Sequence, residues 1–168
     1  IDHAKGIVSR GSWAAIQKCM LRAAAGHPIT VGFLGGSITQ GSLATKPENC
    51  YAYRVYRWWQ ETFPLSEITF INAGIGGTTS QFGVARVEED LLTFQPDFVL
   101  TEFSVNDENN VHFQETYEGL IRRILKSGAA LMLMNNVCYD TGCSAEEVHL
   151  EIARHYCLPS VSMKPTLY

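Results

Sequence analysis

The chain has 168 residues, of which 46% are hydrophobic and 18% charged, and its formal net charge is −4. This length and composition suit one globular domain with a sizeable core, and the acidic balance gives no sign of nucleic-acid binding. No apolar stretch approaches the roughly 20 residues that a membrane span needs, so no membrane partner is expected.

Five short apolar runs predict β-strands. They cover Ile29–Gly35, Glu67–Gly74, Asp97–Ser104, Ala129–Val137 and Leu158–Met163. The second, third and fourth runs are apolar nearly throughout, which is typical of strands covered on both faces.

Segments with helical spacing of apolar residues precede and separate these strands. They lie at residues 12–26, 51–63, 80–94, 113–128 and 144–156. The last segment opens with Ser144 and Glu147, which predicts a capping box. Strands alternating with helices predict βαβ units, hence an α/β fold of three layers (α/β/α) built as a single domain over residues 1–168. We expect a flavodoxin-like, five-stranded parallel sheet of order 2-1-3-4-5, which binds ligands beyond the carboxyl ends of its strands.

The loop after the first strand, GGSITQGS, presents Ser37 directly after two glycines. Ser37 is a candidate nucleophile on a tight strand-to-helix turn. Taken alone, this loop is explained more simply as an ordinary Ser/Thr loop or helix N-cap, and a phosphate cradle is a third interpretation. That cradle lacks both the Gly-Lys-Ser/Thr ending and the G-x-G-x-x-G spacing.

The next two strands are also followed by polar or glycine-rich loops. NAGIGGTTSQ contains Gly77, whose N–H could donate to an oxyanion, although glycine-rich turns are common after strands. SVNDENN contains Asn106 and Asp107, residue types that commonly form Asx turns. In the expected strand order these loops are neighbours, so Ser37, Gly77 and Asn106 should converge.

These three blocks resemble those of the SGNH hydrolases, also called GDSL esterases and lipases. LGGSITQG matches the block of the nucleophile, INAGIGGTTS the block of the oxyanion-hole glycine, and FSVND the block of the oxyanion-hole asparagine. The resemblance implies ester hydrolysis through an acyl-enzyme on Ser37. The N–H groups of Ser37 and Gly77 and the Asn106 amide would stabilise the oxyanion. The resemblance implies no metal or organic cofactor.

The sequence departs from this family in two places. Gly36 replaces the usual Asp before the serine, as in some carbohydrate esterases. More importantly, the Asp-x-x-His block, which supplies the general base and its orienting carboxylate, does not occur in the 168 residues. We therefore expect a domain truncated at its C-terminus, with the His and Asp of the triad outside this chain.

Three histidines are conceivable substitutes for the base. Glu146-x-x-His149 superficially matches the Asp-x-x-His block, but it precedes the last strand, whereas the family's block follows it. A solvated position of His149 on the helix is the simpler interpretation. His155 lies on the same helix. His112 follows the Asn106 loop, where a surface position or helix start is simpler than a catalytic role.

Substrate class rests on weaker signals. Tyr51, Tyr53 and Trp58 follow the Ser37 loop and could stack on sugar rings, although core packing is the alternative. The chain resembles bacterial SGNH carbohydrate esterases more than lipases, so the expected partner is an acetylated polysaccharide or oligosaccharide. Such enzymes often carry a carbohydrate-binding module, which could belong to a missing segment. The oligomeric state stays open.

Other interpretations keep the same fold. A non-catalytic carbohydrate-binding protein without the general base is one alternative. A flavodoxin-like cofactor or phospho-signalling domain is another, but it predicts an acidic cluster or phosphate loop that the sequence lacks.

Cysteine usage bears on the compartment. The five cysteines are odd in number and form no C-x-x-C pair, which argues against zinc and favours a reducing, cytoplasmic compartment. Because the chain starts at Ile1 and not at Met, its native N-terminus could be absent, which leaves secretion open.

Overall fold

The computed structural model describes residues 3–167; Ile1, Asp2 and Tyr168 of the predicted domain lie outside the described residues. The strands within this range are β1 (Ile7–Ser9), β2 (Ile29–Gly35), β3 (Ile68–Gly74), β4 (Phe98–Glu102), β5 (Ala130–Asn135) and β6 (Ser160–Ser162). The α-helices are α1 (Ala14–Ala24), α2 (Ser37–Gln40), α3 (Tyr51–Thr62), α4 (Ser80–Asp90), α5 (Val111–Lys126), α6 (Glu146–His155) and α7 (Lys164–Leu167). Short 3₁₀ turns cover His3–Gly6, Pro47–Asn49 and Leu92–Phe94.

The strands of the described residues form one sheet in the order β1-β6-β5-β4-β2-β3. The pairings from β6 through to β3 are all parallel, so the five predicted strands have the predicted order 2-1-3-4-5. The prediction of five strands was one short, because β1 adds an antiparallel edge beside β6. β1 spans only three residues, too few to show a period of two in the sequence.

Burial along the sheet differs from the prediction in one strand. β4 is buried throughout, and β2 is buried at six of its seven positions. β3 is not covered on both faces as predicted: Thr69 and Asn72 are exposed, because β3 lies at the sheet edge and pairs with β2 alone. The apolar character of the run could not distinguish an edge strand from a central one.

Helices cover both faces of the sheet, which confirms the three-layer α/β/α architecture. On one face α4, α5 and α6 pack on a core that includes Leu34, Val99 and Ile121. On the other face α1 and α3 pack on a core that includes Phe33 and Trp59. None of the helices in the described part of the chain is long and apolar enough to cross a membrane.

The capping box predicted at residues 144–147 does not form. α6 begins at Glu146 with Ala145 as its N-cap residue. The hydroxyl of Ser144 instead donates to the carbonyl oxygen of Asn136 at 2.7 Å and accepts from the N–H of Glu146 at 3.3 Å. Ser144 therefore links α6 to the end of β5.

Candidate active site

Ser37 lies at the turn where β2 passes into α2. β2 ends at Gly35, and Ser37 is the first residue of a four-residue helix. Position 35 has no room for a side chain, because a Cβ there would lie 2.1 Å from Thr39 Oγ1 and 2.4 Å from the carbonyl oxygen of Glu102. This close approach of α2 and β4 explains the glycine and holds Ser37 at the carboxyl edge of the sheet.

The loop after β3 packs directly against α2. The side-chain amide of Asn72 donates to the carbonyl oxygen of Thr39 at 2.9 Å, and the N–H of Gly76 donates to Gln40 Oε1 at 2.8 Å. A Cβ on Gly76 would lie 3.7 Å from the Cβ of Ser37. The second loop is therefore a neighbour of Ser37, as the strand order predicted.

Asn106 approaches the same turn from the end of β4. Its Nδ2 donates to the carbonyl oxygen of Thr78 at 2.8 Å, and a Cβ on Gly36 would lie 3.1 Å from that nitrogen. An amide carries two N–H donors, so one stays available after the bond to Thr78. The Asn106 amide thus bridges the first and second loops.

Two backbone N–H groups, those of Ser37 and Gly77, lie at the same edge of the sheet. Gly77 has φ +71°, a left-handed conformation that favours glycine, and nothing surrounds the position of its missing Cβ within 4 Å. Among residues 3–167, no acceptor receives a hydrogen bond from the backbone N–H of Ser37 or of Gly77. These two N–H groups and the Asn106 amide can therefore donate to a ligand oxygen held beside Ser37.

Asp107, the neighbour of Asn106, is a buried anchor. One carboxylate oxygen accepts the N–H of Ser80 at 2.8 Å, at the first residue of α4. The other lies 3.1 Å from Nε2 of His149 on α6. Asp107 therefore ties the third loop to two helices, a role that its position after Asn106 did not reveal.

The structure overturns the expectation that His149 is solvated. The side chain is fully buried, and its ring stacks on Tyr117 with centroids 3.7 Å apart and planes at 20°. Burial lowers the pKa of His149, although the neighbouring Asp107 opposes that shift. The helical spacing of apolar residues in α6 predicts burial of Ile152, Ala153 and Tyr156; the first two are buried and Tyr156 is half-buried. That spacing gave no sign of His149, whose polarity suggested solvent.

The other two candidate histidines form no hydrogen bond with Ser37 in the described part of the chain. His112 is exposed in the first turn of α5, and His155 is exposed at the last residue of α6. Within the described range of the chain, no side chain accepts a hydrogen bond from the Ser37 hydroxyl. The structure therefore brings Ser37, Gly77 and Asn106 together and leaves the general base to be accounted for.

Glu102, the last residue of β4, is a buried acid behind the Ser37 turn. It pairs in register with Gly35, and its Oε1 accepts from both the N–H and the hydroxyl of Ser104 at 2.9 Å. Burial raises the pKa of Glu102 to about 7, although the hydrogen bonds from Ser104 oppose the shift. Nothing in the TEFSVND stretch distinguished this acid from an exposed one.

Tyr51, predicted as a sugar platform, supports α2 instead of lying open. Its hydroxyl is 2.8 Å from Thr39 Oγ1, and its ring meets Phe33 edge-on with centroids 6.2 Å apart. Burial raises the pKa of the Tyr51 phenol, and the nearby Glu102 adds to the shift. The hydroxyl therefore stays protonated and holds the helix that begins at Ser37.

The other two predicted platform residues lie apart from each other. Tyr53 packs edge-on against Phe70 at 5.9 Å, on the partly buried face of α3. Trp58 is 46% exposed, and its ring lies 5.6 Å from that of Trp59. Trp59 in turn packs 5.5 Å from Phe98, the first residue of β4, which places Trp58 towards the opposite end of the strands from Ser37.

The ionisable groups of this region do not cluster as metal ligands do. Within residues 3–167 no group of three or more His, Cys, Asp or Glu side chains could hold a metal ion.

Comparison with known proteins agrees with this arrangement. The sequence model of the GDSL-like Lipase/Acylhydrolase family matches residues 33–156. A solved two-domain esterase (CEX) active on acetylated mannans, co-crystallised with mannopentaose, is 57% identical and superposes with a TM-score of 0.97. That match covers 98% of this chain and 46% of the esterase, so the chain spans about half the length of this relative. No curated protein sequence matches.

More distant structures share the fold. AlinE4, an SGNH-hydrolase family esterase, is 16% identical with a TM-score of 0.65 over 79% of this chain and 75% of its own. A variant of Axe2, an acetyl xylan esterase from Geobacillus stearothermophilus, is 20% identical with a TM-score of 0.64 over 80% of this chain and 77% of its own. At these identities the likeness extends to the fold alone.

Proposed function

Because the chain belongs to the GDSL-like lipase/acylhydrolase family, we propose that it is the nucleophile-bearing part of an SGNH-type esterase that deacetylates carbohydrates. The observation that carries the proposal is the convergence at one sheet edge of the Ser37 hydroxyl, two unengaged backbone N–H groups and the Asn106 amide. Acyl transfer needs a nucleophile beside donors for the developing oxyanion.

In this proposal, Ser37 Oγ attacks the acetyl carbonyl carbon while its proton passes to a general base. The oxyanion accepts hydrogen bonds from the N–H groups of Ser37 and Gly77 and from the Asn106 amide. Collapse of the tetrahedral intermediate expels the sugar hydroxyl and leaves an acetyl-enzyme. Water then hydrolyses this ester, releases acetate and restores the Ser37 hydroxyl.

The general base and its orienting acid come, in this proposal, from outside the 168 residues. Among the described histidines, His149 is committed to Asp107 inside the protein, and neither His112 nor His155 contacts Ser37. The 57%-identical relative is more than twice as long as the matched region, which leaves ample chain for these groups and for a second domain. The 168-residue chain alone should show very little turnover, since losing the base of a serine triad costs on the order of 10⁶ in rate.

Acetylated mannan is the preferred substrate class, because the 57%-identical relative acts on acetylated mannans. The decisive experiment follows acetate release from acetylated manno-oligosaccharides by the natural protein that carries this chain, and by its Ser37→Ala variant. Ser42→Ala, at an exposed serine of the same loop, is the matched control. We expect Ser37→Ala alone to abolish release; equal rates for wild type and Ser37→Ala would refute the assignment of the nucleophile.

The same experiment addresses the non-catalytic alternative. A protein that lacked a general base would bind acetylated oligosaccharides without releasing acetate, and Ser37→Ala would leave binding unchanged. Among residues 3–167, no general base forms a hydrogen bond with the Ser37 hydroxyl, and this observation supports the non-catalytic alternative. Isothermal titration calorimetry with the same oligosaccharides measures the binding directly.

A further inference from the structure

The loop of residues 136–145 leaves the carboxyl end of β5 and enters α6 beside the candidate active site. Two of the five cysteines lie in it, Cys138 half-buried and Cys143 exposed, and both are free thiols. Cys19 and Cys50 are by contrast buried in the core. The loop therefore offers two thiols that solutes can reach.

Backbone hydrogen bonds place these two cysteines opposite each other. The N–H of Cys138 donates to the carbonyl oxygen of Cys143 at 3.0 Å, and the N–H of Gly142 donates to the carbonyl oxygen of Cys138 at 2.7 Å. Gly142 has φ +70°, the left-handed conformation of the first residue in a G1 β-bulge. The N–H of Cys143 donates to Thr141 Oγ1 at 3.3 Å, so one backbone hydrogen bond joins the two cysteines directly.

A disulfide spans about 4.4–6.8 Å between its Cα atoms. The backbone hydrogen bond from Cys138 to Cys143 holds the two residues together across the turn, so we expect their Cα atoms to lie within this range. We propose that Cys138 and Cys143 are a redox-active dithiol that a low-molecular-weight disulfide, such as oxidised glutathione, converts to an intraloop disulfide.

The exchange occurs in two steps that balance. The thiolate of the exposed Cys143 attacks one sulfur of oxidised glutathione, forms a mixed disulfide and expels one glutathione thiolate. The thiolate of Cys138 then attacks the Cys143 sulfur, forms the protein disulfide and expels the second glutathione thiolate. Two protein thiols are oxidised, one glutathione disulfide is reduced to two glutathione molecules, and the two released protons end on those thiols.

The disulfide would close a loop that contacts the Asn106 segment. The N–H of Ala145 donates to the carbonyl oxygen of Ser104 at 2.7 Å. From the other side, the Asn109 amide donates to the carbonyl oxygen of Ser144 at 2.8 Å. Oxidation therefore constrains the loop that borders one side of the candidate active site, whatever reaction that site performs.

A mass measurement tests the proposal without reference to activity. The natural protein is equilibrated in glutathione buffers of increasing oxidised fraction, quenched in acid, alkylated with N-ethylmaleimide and digested with trypsin. Cleavage after Lys126 and Arg154 releases one peptide that contains both Cys138 and Cys143 and no other cysteine. As the oxidised fraction rises, we expect both cysteines of this peptide to stop reacting with N-ethylmaleimide together. The peptide should then be two hydrogens lighter than its reduced, unalkylated form.

Three cysteine variants serve as controls for this test, and three outcomes would contradict the proposal. Cys138→Ser and Cys143→Ser should each leave a single cysteine that carries glutathione or N-ethylmaleimide, whereas Cys157→Ser should leave the intraloop disulfide intact. Stable glutathione adducts on the wild-type peptide, alkylation of both cysteines throughout the series, or linkage of either one to another cysteine would overturn the proposal.

Discussion

Nε2 of His149 lies 3.1 Å from Oδ2 of Asp107, and both side chains are fully buried. The contact joins α6 to the residue that follows Asn106, while the other carboxylate oxygen of Asp107 accepts the N–H of Ser80 on α4. The amide of Asn106 is therefore backed by a buried network reaching two helices.

Removing the imidazole should destabilise the fold. His149→Phe keeps an aromatic ring against Tyr117 but leaves an oxygen of Asp107 buried without its donor. We expect the free energy of unfolding to fall by about 2–3 kcal/mol, typical for a buried carboxylate that loses a partner. Urea denaturation measures the change, and His155→Phe, at the exposed end of the same helix, should alter it little. Equal stabilities of the two variants would contradict a structural role of the His149–Asp107 pair.

Glu102 should make stability depend on pH. Burial raises its pKa from 4.5 to about 7, so between these values the folded protein keeps a proton that the unfolded chain has lost. The resulting stabilisation is fully present below about pH 4.5 and is lost as pH rises to about 7. It amounts to roughly 3 kcal/mol, because each tenfold change in proton affinity is worth about 1.4 kcal/mol.

Glu102→Gln removes this titration and leaves a neutral group of the same shape. The variant should gain stability relative to wild type by roughly 3 kcal/mol between pH 4.5 and pH 8. Urea unfolding at several pH values measures the difference, with Glu88→Gln as an exposed control that should track the wild type. Parallel profiles for Glu102→Gln and wild type would show that the acid is ionised in the folded protein throughout.

Gly74, at the end of β3, and Gly77, in the loop after it, should respond differently to alanine. A Cβ on Gly74 would lie 2.2 Å from the backbone nitrogen of Gln40, so Gly74→Ala must displace α2. We expect it to lose about 3 kcal/mol or more, since backbone cannot yield as a side chain does. Gly77→Ala meets no neighbour within 4 Å and suffers only from φ +71°, a cost of about 1–2 kcal/mol. Thermal or urea unfolding ranks the two, and a larger loss for Gly77→Ala would contradict the packing described for α2.

The Asn106 amide should matter for turnover more than for binding. In the natural protein we expect Asn106→Ala to lower kcat for acetate release by about 10²–10³, with KM nearly unchanged, because the donor acts on charge that develops in the transition state. Asn109→Ala removes another amide from the same loop, one that bonds Ser144, and should lower kcat far less. A rise in KM at unchanged kcat would instead place Asn106 in ground-state binding.

Much of the fold could be predicted from local patterns. Apolar runs and helical spacing predicted β2, β4, β5 and α3 to within a few residues, because a strand or helix must bury apolar side chains at its own period. The parallel order followed from the alternation of strands and helices. That order is sufficient to place Ser37, Gly77 and Asn106 at one edge of the sheet.

The sequence by itself therefore determined the order of the elements and the three loops of the candidate site. Tertiary structure alone decided which polar groups are buried and what they bond. His149 and Asp107 are separated by 42 residues, and Tyr51 contacts Thr39 across a loop. Among the strands of residues 3–167, β3 pairs with β2 alone, which puts it at the sheet edge. The spacing of apolar residues predicts which apolar side chains are buried. The burial of a polar group depends instead on a hydrogen-bond partner that a distant segment supplies.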